Sequence, residues 1–133
     1  MSEENVEIVR RAWEASERRD NEAALALYDP TIEIHVTEQA GLDTAVYRGL
    51  EGVQEFFRHL LDAFGEMHNE VEEWIDAGDD VVAMVHTYGR GRRSGVPVDM
   101  VQAHLWTVRE GRLCRLQVIA TRAEALEAAG LSE

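Results

Sequence analysis

The chain has 133 residues, with 26 acidic against 13 basic side chains and a formal net charge of −13. Such an excess repels phosphate backbones and anionic membrane surfaces at long range, which argues against nucleic acid and lipid as partners. At 45% hydrophobic and 29% charged residues the composition is that of a globular protein rather than a disordered one, and the length fits one domain, 1–133.

Cys114 is the only cysteine, so no disulfide forms within the chain and a reducing compartment fits best. "MSEENVEIVRRAW" holds no apolar run of signal length, and no segment is long and apolar enough to span a bilayer. A soluble, cytoplasmic protein is expected.

In chain order, Ser2 is placed to cap a first helix whose Val6, Val9, Ala12, Trp13 and Ser16 follow a 3.6 period. Asp20 caps a short second helix through "NEAALALY", which Asp29-Pro30 ends because the residue before proline disfavours the α region. "TIEIHVT" (31–37) alternates as a strand, with Ile32, Ile34 and Val36 on one face. A loop with Gly41 and Gly49 leads to the helix "LEGVQEFFRHLLDAF". Its Val53, Phe56, Phe57, Leu60, Leu61 and Phe64 form an apolar stripe, and Gly65 is its expected stop.

The period then changes to two. "NEVEEWIDA", "DVVAMVHTYGRG", "VPVDMVQAHLWTV" and "RLCRLQVIA" read as four consecutive antiparallel strands, turned at "GDD", "RRSG" and "REG". Thr121 to Glu124 form a capping box for a last short helix that Gly130 closes. Helices segregated from a mostly antiparallel sheet make the fold α+β.

This order of elements resembles the NTF2-like, or SnoaL-like, cone fold. So do the phrases "ALYDPTIEI", "YRGLEGVQEFF", "DAGDDVVAMV", "GRGRRSGVPV" and "HLWTVREGRL…RAEALEAAGL", over nearly the whole chain. The resemblance implies a curved sheet wrapped into a cone, closed by helices on its wide side around an apolar cavity. Its members include polyketide cyclases, ketosteroid isomerases, epoxide hydrolases, dehydratases and proteins that only bind or dimerise, so fold alone assigns no activity. Where ketosteroid isomerases carry a catalytic aspartate on the first strand, this chain has Ile34. Their tyrosine on the first helix falls near Ala12, and the acid that cyclases and epoxide hydrolases place on the last strand falls at Val118. None of those mechanisms transfers as it stands.

The turn "VREGR" sets which way His104 points. A two-residue Glu110-Gly111 loop needs positive φ at Glu110, so a three-residue Arg109-Glu110-Gly111 loop with a glycine bulge is expected. It pairs Val108 with Arg112 and puts Gln102, His104 and Trp106 on one face with Cys114, Leu116 and Val118. Arg115 and Gln117 mark the other face as the outer one, since an unpaired arginine does not belong in an apolar cavity. The "RRSG" turn brings His86 beside residue 103 or 104.

The implied cavity would be lined by Trp13, Ile34, Tyr47, Phe57, Leu60, His86, Tyr88, Gln102, Trp106, Leu116 and Val118 around His104. In such a pocket His104 is the candidate general acid or base. The alternative is a core histidine bonded to a carbonyl or to Tyr28, Tyr47 or Tyr88. Asp99 is the nearest acid by sequence, but strand parity puts it on the other face.

Arg90, Arg92 and Arg93 form the only basic cluster, suited to a ligand carboxylate or to a solvated tip. Glu33 and His35 read as surface or interface groups. No metal spacing occurs among the five histidines, and neither a nucleotide motif nor another cofactor motif is present. Val101, Ala103, Leu105 and Ile119 are expected to form an exposed apolar patch on the outer face, through which a homodimer would pair. The expected function is binding of a small, largely apolar molecule without a cofactor. Its alternatives are an isomerase, cyclase or hydratase-type enzyme using His104, and a non-catalytic dimerisation module.

Overall fold

The computed structural model describes residues 2–36 and 45–131. The predicted strand end at Thr37, the loop glycine Gly41 and the capping side chain of Ser2 lie outside that description. Helices α1 (Ser2–Glu17) and α2 (Asn21–Ala26) precede β1 (Tyr28–Val36), β2 (Ala45–Arg48) and α3 (Gly49–Ala63). There follow β3 (Phe64–Ala77), β4 (Asp80–Gly91), β5 (Pro97–Arg109), β6 (Arg112–Ile119) and α4 (Arg122–Ala128). The six strands make one curved, unclosed sheet in the order β2-β1-β6-β5-β4-β3. Every pairing is antiparallel except that of β1 with β6.

Local chemistry explains the helix ends. Asp20 accepts a hydrogen bond from the Ala23 amide at 3.2 Å, and Thr121 accepts one from the Glu124 amide at 3.1 Å. Each satisfies a first-turn donor that the helix leaves open. The end of α3 departs from expectation. Phe64 is already extended, so the helix runs straight into β3, and Gly65 is a strand residue rather than a left-handed cap. A Cβ on Gly65 would lie 3.3 Å from the Arg92 Cα, so close approach of the β4–β5 tip is what this glycine permits. The carbonyls at the end of α3 are served by Arg92, whose Nε donates to Leu61 O at 2.8 Å and whose amide donates to Ala63 O.

Several strand expectations are corrected. β2 lies where a loop is read from the sequence, and β3 begins five residues before Asn69. β1 starts at Tyr28, so Pro30 sits inside it; the ladder to β6 shifts between Tyr28 and Glu33, where a residue lacking an amide proton does no harm. The β5–β6 turn has two residues, with Glu110 at φ 51° and Gly111 at φ 76°, not three. A bulge at Cys114 then shifts the register once more, so that His104 faces Val118 and Trp106 faces Leu116. Leu113, opposite Val108, takes the buried position expected of Cys114. The β4–β5 turn is "RRSG" itself, with the Gly91 amide donating to Val96 O, and this register pairs His86 with Val101, not with residue 103 or 104.

The main core lies between the sheet's inner face and α1, α2 and α3. It is built from Val9, Ala12, Ile34, Val53, Phe56, Trp106, Leu116 and Val118 with their neighbours. α1 packs over β3, β4 and β6, and α3 over β1, β2 and the start of β3. Only one edge of the α3 stripe faces inward: Val53 and Phe56 are buried, while Phe57 is 38% and Leu61 63% exposed.

The outer face carries a second core under α4, made by Val82, Met84, Ala103, Leu105 and Ile119 with Ala125. This overturns the exposed apolar patch. Ala103 and Leu105 are fully buried by the chain's own last helix, and of the four residues only Val101 is open, at 48%.

Candidate functional site

Strand alternation turns Gln102, His104 and Trp106 to the inner face. Their neighbours across β4 are Val85, Ala83 and Val81, and those of His104 and Trp106 across β6 are Val118 and Leu116. Trp13 of α1 lies over His104, with ring centroids 5.8 Å apart and planes tilted by 57°. Trp106 stacks on Tyr28 at 6.1 Å. Burial pushes the Tyr28 phenol up to about 12, against a hydrogen bond with Ser16.

This row of three is polar where its surroundings are not. Gln102 Oε1, both ring nitrogens of His104 and Trp106 Nε1 are shut off from solvent without a hydrogen-bond partner. A buried polar group left so costs about 1–3 kcal/mol, and native interiors hold few of them. His104 as a residue is only partly buried, yet its nitrogens are closed off. Burial lowers its pKa to about 4, so at neutral pH the ring carries one N–H donor and one acceptor nitrogen. Among the described residues no tyrosine hydroxyl or carboxylate meets it; the tyrosine partners considered from sequence are engaged elsewhere or on the other face.

The inner face is sealed at one end and open at the other. Val81, Trp106, Leu116 and Val118 are core, whereas Met67, Asn69, Val71, Met100 and Gln102 are only partly buried. Thr87 sits at the open end and donates to Asn69 Oδ1 at 2.7 Å. Sequence reasoning missed this pair. Thr87 lies two residues beyond Val85 in the alternation, but a bulge between Val71 and Glu73 breaks the parity that would have placed Asn69.

The other expected cavity residues separate into two groups. Trp13, Ile34, Tyr47, Leu60, Leu116 and Val118 belong to the inner core or pack against it. Tyr47 also hydrogen-bonds with His59 Nδ1 at 2.7 Å. Phe57, His86 and Tyr88 do not line it. Phe57 is on the solvent side of α3, its ring tilted at 45° to that of Phe56. His86 and Tyr88 fall on the outer face because the β4–β5 register pairs them with Val101 and Asp99. There His86 Nε2 donates to Asp99 at 2.7 Å, which raises the histidine's pKa, and Tyr88 donates to Glu70 at 3.1 Å.

Glu33 and His35 form a 2.9 Å pair on the same outer side. At the β4–β5 tip Arg90 donates to Gly95 O and Arg92 serves α3. An open depression of about 430 Å³ lies there, between His59, Asp62, Arg92 and Arg93, and another of about 520 Å³ lies on the outer face by Glu73, Val101 and Arg122. Neither adjoins the polar row. Burial raises the pKa of the Cys114 thiol, which donates weakly to Thr107 O. Among the described residues no group of three or more His, Cys, Asp or Glu is arranged to hold a metal ion, and no helix is long and apolar enough to cross a membrane.

A curved, mostly antiparallel sheet with helices packed into its concave face defines an α+β cone protein of NTF2-like architecture. The model of the SnoaL-like domain matches residues 9–116, and the chain belongs to that family. Compared by sequence with curated proteins, it matches none. Among solved structures it is similar to an NTF2-like protein of unknown function from Burkholderia pseudomallei, with 25% identity, a TM-score of 0.77, and 96% of this chain and 97% of that one covered. TerC, co-crystallised with polyporic acid, shares 25% identity at a TM-score of 0.74, over 96% and 98% of the two chains. A candidate SnoaL-like polyketide cyclase from Jannaschia sp. shares the fold at 23% identity and a TM-score of 0.74, over 97% and 92%.

Proposed function

We propose that this SnoaL-like protein binds a small, largely apolar molecule against the inner face of β5, in contact with Gln102, His104 and Trp106. The carrying observation is the row of four buried, unpartnered polar atoms in an otherwise apolar setting. A ligand with one or two oxygens would satisfy them while its rings or chain packed on Trp13, Val85 and Val118. The co-crystallisation of TerC with polyporic acid supports a small-molecule reading.

A thermal-shift screen against steroids, lactones, anthraquinones and fatty acids tests it. A ligand at one hundred times its Kd adds about 2.7 kcal/mol, which raises the melting temperature of such a domain by roughly 5–15 °C. Trp106→Phe and Gln102→Leu should each weaken a true hit. Hits that survive both substitutions unchanged place the ligand elsewhere.

Acid–base turnover at His104 is the second reading, favoured by a ring held neutral and able to accept a proton. Loss of turnover of a bound compound in His104→Gln, with binding retained, is its signature. A homodimer through the outer sheet face, now limited to Val101 and its polar surroundings, is part of the proposal, as is a reducing, cytoplasmic setting for the free Cys114. A monomer by sedimentation at micromolar concentration removes the dimer. A self-filled dimerisation module would show a dimer and a flat screen.

A further inference from the structure

The arginine-rich β4–β5 tip and the end of α3 frame a concavity that the inner-face reading does not use. Three walls of this depression of about 430 Å³ are held in place. Arg92 is fixed on the end of α3, its Nε donating to Leu61 O at 2.8 Å and its amide to Ala63 O at 3.0 Å. Its charge is thereby set against the negative end of the helix dipole. His59 is held by the Tyr47 hydroxyl at 2.7 Å, and Ser94 Oγ accepts from the Val96 amide at 3.1 Å. Two charged side chains on the same depression have no partner among the described residues. Asp62 is exposed in the last turn of α3, where the dipole disfavours a carboxylate and no basic residue of that turn offsets it. Arg93 is exposed on the tip, and no ion pair joins it to Asp62.

Opposite charges that face one depression without meeting are complemented by a molecule that carries both. The field of the whole chain points the same way. A net charge of −13 repels a free anion, and the tip arginines oppose a simple cation, whereas a zwitterion has no net charge to be repelled. The lining between the two charges is mostly apolar, with the Ala63 methyl and the stems of the arginines. We infer that this depression binds a zwitterionic α-amino acid with an apolar side chain. Its carboxylate takes the Arg93 guanidinium, in the two-pronged geometry that group favours, and its ammonium takes Asp62. The side chain lies over Ala63. Both ion pairs are open to water, so the affinity is about millimolar.

The test titrates the full nitrogen-15-labelled chain at pH 7.0 with three forms of one skeleton. These are L-leucine, N-acetyl-L-leucine, which lacks the ammonium, and L-leucinamide, which lacks the carboxylate. The amide shifts of Ala63, Gly91, Arg93 and Ser94 read occupancy of the depression. Leucine is expected to move them saturably, and each blocked form to bind at least fivefold more weakly, a comparison that needs no variant. Arg93→Gln should weaken leucine at least fivefold and leave leucinamide unchanged or tighter. Asp62→Asn should weaken leucine as much and leave N-acetyl-leucine unchanged or tighter. The dispersion of the amide spectrum reports that each variant is folded. Leucine that binds no better than its blocked forms overturns the inference, as does a leucine affinity that neither substitution changes. Shifts confined to the inner face, at Gln102 and His104, put the amino acid in the other site and overturn it too. The absence of any saturable shift at the tip with leucine, methionine or phenylalanine does the same, and leaves the inner-face reading standing.

Discussion

Replacing His104 by leucine tests the unpartnered row most directly, because its sign differs between a ligand site and a structural histidine. Two ring nitrogens lack partners, and removing each relieves about 1–3 kcal/mol. Loss of the ring contact with Trp13 returns about 0.5–1.5 kcal/mol. The ligand-free variant should therefore be more stable by about 0.5–5.5 kcal/mol. For 133 residues that raises the melting temperature by roughly 2–20 °C.

The same substitution should remove a pH dependence. The pKa of His104 is lowered from 6.5 to about 4 by burial, so below 6.5 the unfolded chain binds a proton that the fold refuses. Stability from the neutral ring is full above pH 6.5 and is lost as pH falls towards and through 4, by roughly 3 kcal/mol in all. Urea unfolding of wild type and His104→Leu at pH 7.5, 6, 5 and 4.5 reads both effects. A variant that melts lower than wild type at pH 7.5, with the wild-type pH slope kept, would mean that the ring is hydrogen-bonded in solution and the site argument is wrong.

Other outcomes follow from single features. Gly89→Ala puts a Cβ 1.9 Å from Glu66 O, so β3 must move off β4; a loss of at least about 2 kcal/mol is expected in urea unfolding. Glu110 holds φ 51° in the β5–β6 turn, and Glu110→Gly should stabilise by roughly 0.5–1 kcal/mol, read as a higher melting temperature. Thr121→Ala removes the cap of α4 at a cost of about 1 kcal/mol; increased binding of a hydrophobic dye would report exposure of Leu105 and Ile119 beneath it. His86 behaves oppositely to His104. Its pKa is raised by the bond to Asp99, so its contribution is full below the ordinary histidine range and lost above the raised value. Asp99→Asn should abolish that alkaline loss in a pH series of melting temperatures.

Periodicity made the β3 to β6 hairpins, the four helices and the inward row at 102, 104 and 106 readable, because these rest on alternation and capping. The face of His104 came out correctly although the turn beside it did not. The three-residue loop and the observed two-residue turn with a bulge at Cys114 differ by two positions in pairing, and two positions preserve the face. His86 and Tyr88 had no such protection, since an error of one position in pairing register reverses a strand's faces, and the observed pairing of His86 with Val101 turns both outward. Turn strain at Glu110 and the bulge at Cys114 are tertiary compromises, fixed by Leu113 filling the core in place of Cys114. The burial of Ala103 and Leu105 was illegible for a different reason. Alternation tells which residues share a face, but not whether a later helix folds back over it.

The parallel seam between β1 and β6, where Glu33 meets Arg115 and Val36 meets Val118, bears on how the chain is made. A ribosome delivers β1, β2 and α3 long before β6 exists, so the β1–β2 pair under α3 has no larger sheet to join until residues 112–119 emerge. The β6 edge of β1 must wait unpaired through most of synthesis, and closing so distant a pair is slow for entropic reasons. Truncations that stop short of β6 should leave Ile32, Ile34 and Val36 without their neighbours, and such nascent fragments are natural clients for a chaperone.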